Sequence, residues 1–179
     1  MRRYQIAILS FALGIFFVAS LAVFLDRKIH YDRDVRIKTV EDFRTISVFF
    51  SNNEFDPQMP DCEKVYPVER VLGRITDNKR GTLGEFAYLA LTDLLKGPTN
   101  YEKSHGFFTS INKNTRIKRI IIENGIVAVD FNDVLDDGVA GSCRVQAIRS
   151  QITETLKQFP EINEIVISVN GESESILQP

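Results

Sequence analysis

Apolar and polar residues alternate with the two-residue period of a β-strand in several parts of the chain. The clearest case is residues 44–50, where Ile46, Val48 and Phe50 fall on one face. Pro67 lies in the second such stretch and confines it to the edge of a sheet, because proline cannot donate a ladder hydrogen bond. The pattern therefore predicts five strands, in residues 44–50, 65–72, 116–123, 126–131 and 165–169.

Two other stretches carry apolar residues at helical spacing. Thr82 and Glu85 form a capping-box pattern at the start of the first, and Gly97 followed by Pro98 ends it. The second begins near residues 140–142 and continues to Phe159. Its apolar stripe consists of Val145, Ile148, Ile152, Leu156 and Phe159.

The resulting order is strand, strand, helix, strand, strand, helix, strand. Asn124-Gly125 joins the third and fourth strands as a hairpin turn, and Asn170-Gly171 predicts a further turn after the last strand. Both helices need an apolar surface on which to bury their stripes. We therefore predict an α+β fold, a two-layer sandwich in which two helices pack on one mixed or antiparallel sheet.

An uncharged apolar segment occupies residues 6–25 and is preceded by Arg2 and Arg3. As a helix it is long enough to cross about 30 Å of hydrocarbon, which predicts a transmembrane signal anchor. Ser20-Leu21-Ala22 leaves signal cleavage open as an alternative, although the apolar run continues beyond it. No cysteine lies directly after the run, so attachment of a lipid there is not expected.

The chain then divides into an anchor at 1–25, a charged stalk at 26–43, N-terminal strands and loops at 44–81, and a domain at 82–179. Basic residues after the anchor would favour a cytoplasmic domain, but long C-terminal domains are exported largely regardless of charge. We expect a single-pass protein of the cell membrane with its domain on the extracytoplasmic side. The formal net charge of −2 gives no basic surface for nucleic acid.

The chain has two cysteines, Cys62 and Cys143. In an oxidising compartment such a pair predicts a disulfide, and closing a loop of about 82 residues contributes at most on the order of 4.5 kcal/mol. Two unpaired structural thiols are one alternative. The other is a catalytic thiol at Cys143, whose partner would have to be His30 or His105.

A family resemblance rests on a set of short motifs between about residues 82 and 171. They include Leu94-Leu95, Gly97-Pro98-Thr99, Glu102, Thr109, Ile111, Asp130-Phe131 and Thr155-Leu156. Together these residues resemble the GerMN domain of sporulation and germination proteins. The resemblance implies a small α/β fold akin to ring-building motifs, in which the motif residues have structural roles. Thr99 and Glu102, for example, form a second capping box and predict a short helical turn.

The sequence carries no clear catalytic apparatus, so we expect a non-catalytic module without cofactor or metal. The alternative is an extracytoplasmic hydrolase acting on peptidoglycan through paired carboxylates, Glu85 with Glu102 or Asp130 with Asp133. The loop containing Asn132, Asp133, Asp136 and Asp137 is rich in oxygen atoms but lacks the ligand register of a calcium-binding EF-hand.

The expected function is binding or assembly at the cell envelope, with an envelope protein or a cell-wall polymer as partner. The strand at 65–72 is the first candidate working edge, because Pro67 discourages uncontrolled pairing there. Self-association through a helix-on-sheet contact stays open by analogy with ring-building domains.

Overall fold

The computed structural model describes residues 45–58, 61–71 and 82–178, all of which fall within the unit Phe43–Pro179. No helix in this described part is long and apolar enough to cross a membrane. The predicted anchor in residues 6–25 and the stalk in residues 26–43 lie outside the described residues.

The first sheet contains three antiparallel strands in the order β2-β1-β3. Strand β1 is Thr45–Asn52, β2 is Tyr66–Val71 and β3 is the short segment Phe107–Phe108. The alternation in β1 buries Ile46, Val48 and Phe50, as the sequence predicts. Strand β2 lies at the edge of the sheet, where its alternate residues are exposed to solvent.

The second sheet has the order β4-β5-β6 and is mixed. Strands β4, Ile117–Glu123, and β5, Ile126–Phe131, form an antiparallel hairpin through Asn124 and Gly125. These two turn residues have positive φ values of 52° and 81°, which a type I′ turn requires. Strand β6, Glu164–Val169, runs parallel to β5.

In residues 45–58, 61–71 and 82–178, three helices accompany the sheets: α1, Leu83–Leu95; the short α2, Asn100–Lys103; and α3, Ser142–Lys157. A 3₁₀ turn at Asp133–Leu135 follows β5. The predicted stripe of α3 is buried together with α1 and the inner faces of both sheets in one hydrophobic core. The α+β class and the two main helices are thus confirmed.

A row of polar residues beside the apolar stripe of α3 lies along one edge of β1. The Phe49 N–H donates to Thr155 Oγ1 at 3.1 Å, and the Ser47 N–H donates to Gln158 Oε1 at 2.8 Å. Gln158 Nε2 in turn donates to the Ser47 carbonyl at 2.8 Å. Gln151, one helical turn before Thr155, accepts from Thr109 Oγ1 at 2.7 Å. Helix α3 therefore satisfies backbone groups that a neighbouring strand would otherwise bond.

The prediction of a single sheet is wrong, and the polar row explains why. Thr155 and Gln158 occupy the edge of β1 that a further long strand would need, and only the two residues of β3 pair there. The strands consequently separate into two sheets of three strands each. Both sheets contribute to the same core, so the helices still bury their apolar faces as expected.

Candidate binding surface

Of the four carboxylates that could form a hydrolytic pair, Glu85, Glu102 and Asp130 each have a structural hydrogen-bond partner. Glu85 closes the capping box of α1, because its Oε2 accepts from the Thr82 N–H at 2.7 Å while Thr82 Oγ1 accepts from the Glu85 N–H at 3.2 Å. This arrangement matches the sequence prediction. The Glu85 carboxylate is thereby held at the start of the helix.

Glu102 connects three elements. Its Oε2 accepts from the Thr99 N–H at 2.8 Å at the start of α2, and the same oxygen accepts from Arg70 Nη2 at 2.7 Å. Arg70 Nη1 bonds the other carboxylate oxygen, so the guanidinium of β2 grips Glu102 with two nitrogens. Asp93 of α1 lies 3.9 Å from Arg70 Nε. Burial raises the pKa of Glu102, but the bonds from Arg70 and Thr99 outweigh it and lower the pKa.

Arg70 is a residue that the sequence reading missed. The sequence shows only a basic residue among the apolar residues of an edge strand. Basic residues at such positions commonly face solvent. Its side chain is mostly buried because it reaches inward from β2 towards Glu102. The Arg70–Glu102 contact therefore fixes α2 against the edge strand β2.

Asp130 lies near the end of β5 and points away from the core. Its Oδ1 accepts from Ser168 Oγ at 2.8 Å and from the Gly171 N–H at 2.7 Å. Burial raises the pKa of Asp130, but these two hydrogen bonds and the charges of Lys118 and Arg119 outweigh it, so the pKa is lowered. Asp130 therefore anchors the turn after β6.

Asp133 lies in the acidic loop, which borders an open depression of about 400 Å³. Asp136 of the same loop accepts from the Leu177 N–H at 2.9 Å. Among residues 45–58, 61–71 and 82–178, no group of three His, Cys, Asp or Glu side chains could hold a metal ion. Every buried polar side-chain atom in these ranges also has a hydrogen-bond partner. Glu85, Glu102, Asp130 and Asp136 thus stabilise the fold through hydrogen bonds.

A disulfide joins Cys62 to Cys143, whose Cα atoms are 5.1 Å apart. Cys62 belongs to the loop between β1 and β2, and Cys143 is the second residue of α3. Cys143 is exposed and faces away from the core, as its position opposite the apolar stripe predicts. The bridge ties the loop to the start of the helix, so neither thiol is available for catalysis.

The same loop carries Phe55, an exposed aromatic residue. Phe55 packs edge-to-face on Tyr66, with ring centroids 5.1 Å apart, and on Phe107 at 5.9 Å. The rings of Tyr101 and His105 are tilted against each other, with centroids 4.4 Å apart. Phe55 is 59% exposed and Tyr101 is 73% exposed. We call these five residues, Phe55, Tyr66, Tyr101, His105 and Phe107, the aromatic patch.

Backbone and amide bonds hold the two halves of the aromatic patch together. The buried Asn52 donates through Nδ2 to the His105 carbonyl at 2.8 Å, and its Oδ1 accepts from the Phe55 N–H at 3.0 Å. The Asn53 N–H donates to the Gly106 carbonyl at 3.1 Å. Gly106 has a φ of 80°, and a Cβ added there would lie 2.8 Å from Asn52 Oδ1. Only glycine fits this close approach without strain.

A cation borders the aromatic patch. The Nζ atom of Lys64 lies 5.6 Å from the centroid of the Tyr66 ring. A side-chain hydrogen bond with Tyr66 is the main cause that raises the pKa of Lys64, and the charges of Asp56 and Asp61 add to it. The patch thus combines exposed rings with a charged rim, an arrangement typical of recognition surfaces.

The sequence profile of a family described as "Sporulation and spore germination", named Germane, matches residues 47–175. That range is more than half of the chain. The chain belongs to this family, and its domain is of the GerMN type, as the resemblance implied. The match includes most of β1 and all of β2, which lie before the region that carried the motifs.

The solved structures that match this GerMN domain have low sequence identity to it. A candidate lipoprotein from Clostridium perfringens is 19% identical with a TM-score of 0.46, covering 74% of this chain and 78% of the other. The first GerMN domain of the sporulation protein GerM from Bacillus subtilis is 16% identical with a TM-score of 0.44, covering 72% and 84%.

The tandem GerMN domains of the same GerM protein are 16% identical with a TM-score of 0.48. The alignment covers 75% of this chain and 42% of the tandem protein. A comparison with curated proteins gave no significant match.

The family-motif residues have local structural roles in the described part. Gly97 takes a φ of 75° after α1, and Pro98 behind it is buried. Phe131 is fully buried in the core at the end of β5. Thr155 is fully buried in α3. Its hydroxyl accepts from the backbone of β1, a role that only the tertiary structure reveals.

Proposed function

We propose that this GerMN protein is a membrane-anchored, non-catalytic module that binds an envelope protein or a cell-wall polymer on the extracytoplasmic side. The observation that carries the proposal is the aromatic patch. It lies where β2 begins, at the end of the edge strand that the sequence marks as the candidate working edge.

Exposed aromatic rings favour recognition for a physical reason. A ring offers a large apolar area at little cost in conformational entropy, and its edge and face can orient against sugar rings or protein side chains. The rings of the aromatic patch come from different parts of the chain and are held by Asn52 and Gly106. A surface held in this way loses little freedom when a partner binds.

The disulfide adds to this preorganisation. Cys62 lies between Phe55 and Tyr66 in the sequence, so the bridge to α3 restrains the loop that presents both rings. A disulfide is also typical of proteins outside the reducing cytoplasm. Together with the apolar segment at residues 6–25, it supports an exported location with the domain beyond the membrane.

The hydrolase alternative has no supporting geometry in the described part of the chain. Glu85 and Glu102 are engaged in separate helix caps, and Asp130 is bonded to Ser168 and Gly171. General acid–base catalysis by two carboxylates requires both groups to face one bound substrate. The arrangement of these groups favours binding over hydrolysis.

The test compares exposed aromatic residues inside and outside the patch. Phe55→Ala and Tyr101→Ala should each weaken capture of the partner without unfolding the domain, because both side chains are largely exposed. Tyr88→Ala is the matched control, since Tyr88 is an exposed aromatic residue on α1 that makes no ring contact with the patch.

A photoreactive phenylalanine at position 55 or 88 of the full-length chain would identify the partner in native envelopes. A discrete adduct at position 55 and not at 88 indicates a protein. Pelleting with purified cell wall that depends on Phe55 indicates the polymer. The proposed surface would be contradicted if positions 55 and 88 gave the same photoadducts and contributed equally to pelleting with the cell wall.

A further inference from the structure

Strand β4 presents an apolar edge that no other strand covers in the described residues. It is the outer strand of the order β4-β5-β6, and four of its seven residues are isoleucines. An edge of this kind is a template for pairing with another chain. The edge has charges at both ends, with Lys118 and Arg119 near one end and Glu123 at the other.

The hairpin register shows which backbone groups of β4 point outwards. In a two-residue type I′ hairpin the flanking residues, Glu123 and Ile126, exchange hydrogen bonds with each other. The pairing then alternates, so Ile122 and Ile120 lie in non-hydrogen-bonded pairs with β5. Their N–H and C=O groups therefore point to the outer edge, away from β5.

We propose that the occupant of this edge is β4 of a second copy of the chain, paired antiparallel about a two-fold axis at Ile121. In this register Ile120 of each copy exchanges backbone hydrogen bonds with Ile122 of the other. The outward groups of both residues are thereby satisfied, and the two sheets join into one sheet of six strands. The contact is isologous and closes at a dimer.

Charge selects this register over its neighbours. Arg119, Ile121 and Glu123 share the face of β4 that points away from the core. Pairing centred on Ile121 places each Arg119 directly opposite the partner's Glu123, where opposite charges stabilise a cross-strand pair. Shifting the centre to Ile120 would place Glu123 opposite Ile117, and shifting it to Ile122 would place Glu123 opposite Ile121. Neither shift forms an ion pair.

The dimer is separate from the proposed binding function. The β4 edge belongs to the second sheet, whereas the aromatic patch lies at the end of the first sheet. A variant that no longer dimerises could still be tested for capture of the partner by the aromatic patch. The failure of either proposal can therefore be recognised without the other.

The first test uses a single added cysteine in the full-length chain, oxidised in native membranes. Ile121→Cys should form an intermolecular disulfide and double the apparent mass from 20.4 kDa on a non-reducing gel. Directly opposed residues in a non-hydrogen-bonded pair have Cα atoms about 4.5 Å apart, within disulfide range. Ile126→Cys is the matched control, an exposed isoleucine on the same face but on β5.

Equal crosslinking at positions 121 and 126 would mean random collision and would overturn the proposal. An absence of crosslinking at 121, or an adduct of another mass, would overturn it as well. An adduct of another mass would indicate that the β4 edge binds a different protein.

The second test exchanges the charges. Arg119→Glu alone and Glu123→Arg alone each place like charges opposite each other, so either should abolish the Ile121→Cys crosslink. The combined variant with both substitutions restores opposite charges and should restore the crosslink to the level seen with Ile121→Cys alone. Failure of the combined variant to recover while the Cys62–Cys143 disulfide still forms would refute the register.

Discussion

Helix α3 replaces a β-strand at one edge of β1, and the contribution of that contact can be measured with Thr155→Val. The side chain of Thr155 is 0% exposed, and its hydroxyl accepts the Phe49 N–H at 3.1 Å. Valine keeps the shape but removes the acceptor. A buried donor without a partner costs about 1–3 kcal/mol. Burying the additional methyl group returns up to about 0.8 kcal/mol.

We therefore expect Thr155→Val to lower the free energy of unfolding by about 1–2 kcal/mol. Thr153→Val is the control, because it makes the same change in helix propensity in the same helix at a half-buried position. It should lie within about 0.5 kcal/mol of the wild type. Urea unfolding followed by circular dichroism should move the midpoint for Thr155→Val by roughly 0.5–1.5 M with an unchanged slope.

Hydrogen exchange gives an independent measurement of the same contact. The Phe49 amide should exchange faster in Thr155→Val than in Thr153→Val, because it alone loses its acceptor. Equal midpoints for the two variants, together with an unchanged Phe49 amide, would show that α3 does not serve as the missing strand.

Three further predictions concern the bonds that hold the aromatic patch and the edge strand. Replacing both Cys62 and Cys143 with serine should lower the free energy of unfolding by about 2–5 kcal/mol, measured by urea unfolding against the wild type under non-reducing conditions. Gly106→Ala should destabilise by more than about 1 kcal/mol, because alanine is strained at a φ of 80° and its Cβ would meet Asn52; a wild-type midpoint would contradict this. The pKa of Glu102 is lowered in the folded state. Its contribution to stability is therefore complete above about pH 4.3, the pKa of an unperturbed glutamate, and is lost as the pH falls through the pKa of Glu102 in the folded state. Urea midpoints measured down to about pH 2 should therefore fall less steeply for Glu102→Gln than for the wild type.

Local signals in the sequence were sufficient for the helices and the five longer strands, but not for the two-residue strand β3. The capping residues of α1, the Asn124-Gly125 turn and the alternation in β1 each act within a few residues, and the structure agrees with all three. The division into two sheets depends instead on contacts over long separations. Thr155 and Gln158 bond strand residues that are 106 and 111 positions away. From the sequence alone, polar residues beside the apolar stripe of a helix would be interpreted as exposed to solvent.

The aromatic patch was missed for a similar reason. Its five residues come from the loop after β1, the start of β2, helix α2, the turn that follows α2, and strand β3. No single stretch of the sequence therefore indicates the cluster. Phe55 in a polar loop was the one available sign, because an isolated aromatic residue there has no core to enter. Its contacts with Tyr66 and Phe107 depend on the positions of β2 and β3 in the folded chain.

The edges of the two sheets differ in how they meet solvent, and this contrast supports a role for β4. The N–H of Phe49 points to α3, so the opposing residue Pro67 has its nitrogen on the outer edge of β2, where proline offers no donor. Beside β1, Thr155 and Gln158 bond the strand. In the described residues, strand β4 has no proline and no helix bonded along its outer edge, and its one register irregularity lies between Ile117 and Arg119, before the central isoleucines. The outward groups of Ile120 and Ile122 are flanked by charges that are complementary under two-fold symmetry. Selection against uncontrolled pairing would favour a proline or a bulge at the centre of such an edge. The central isoleucines are instead suited to pairing with an identical strand.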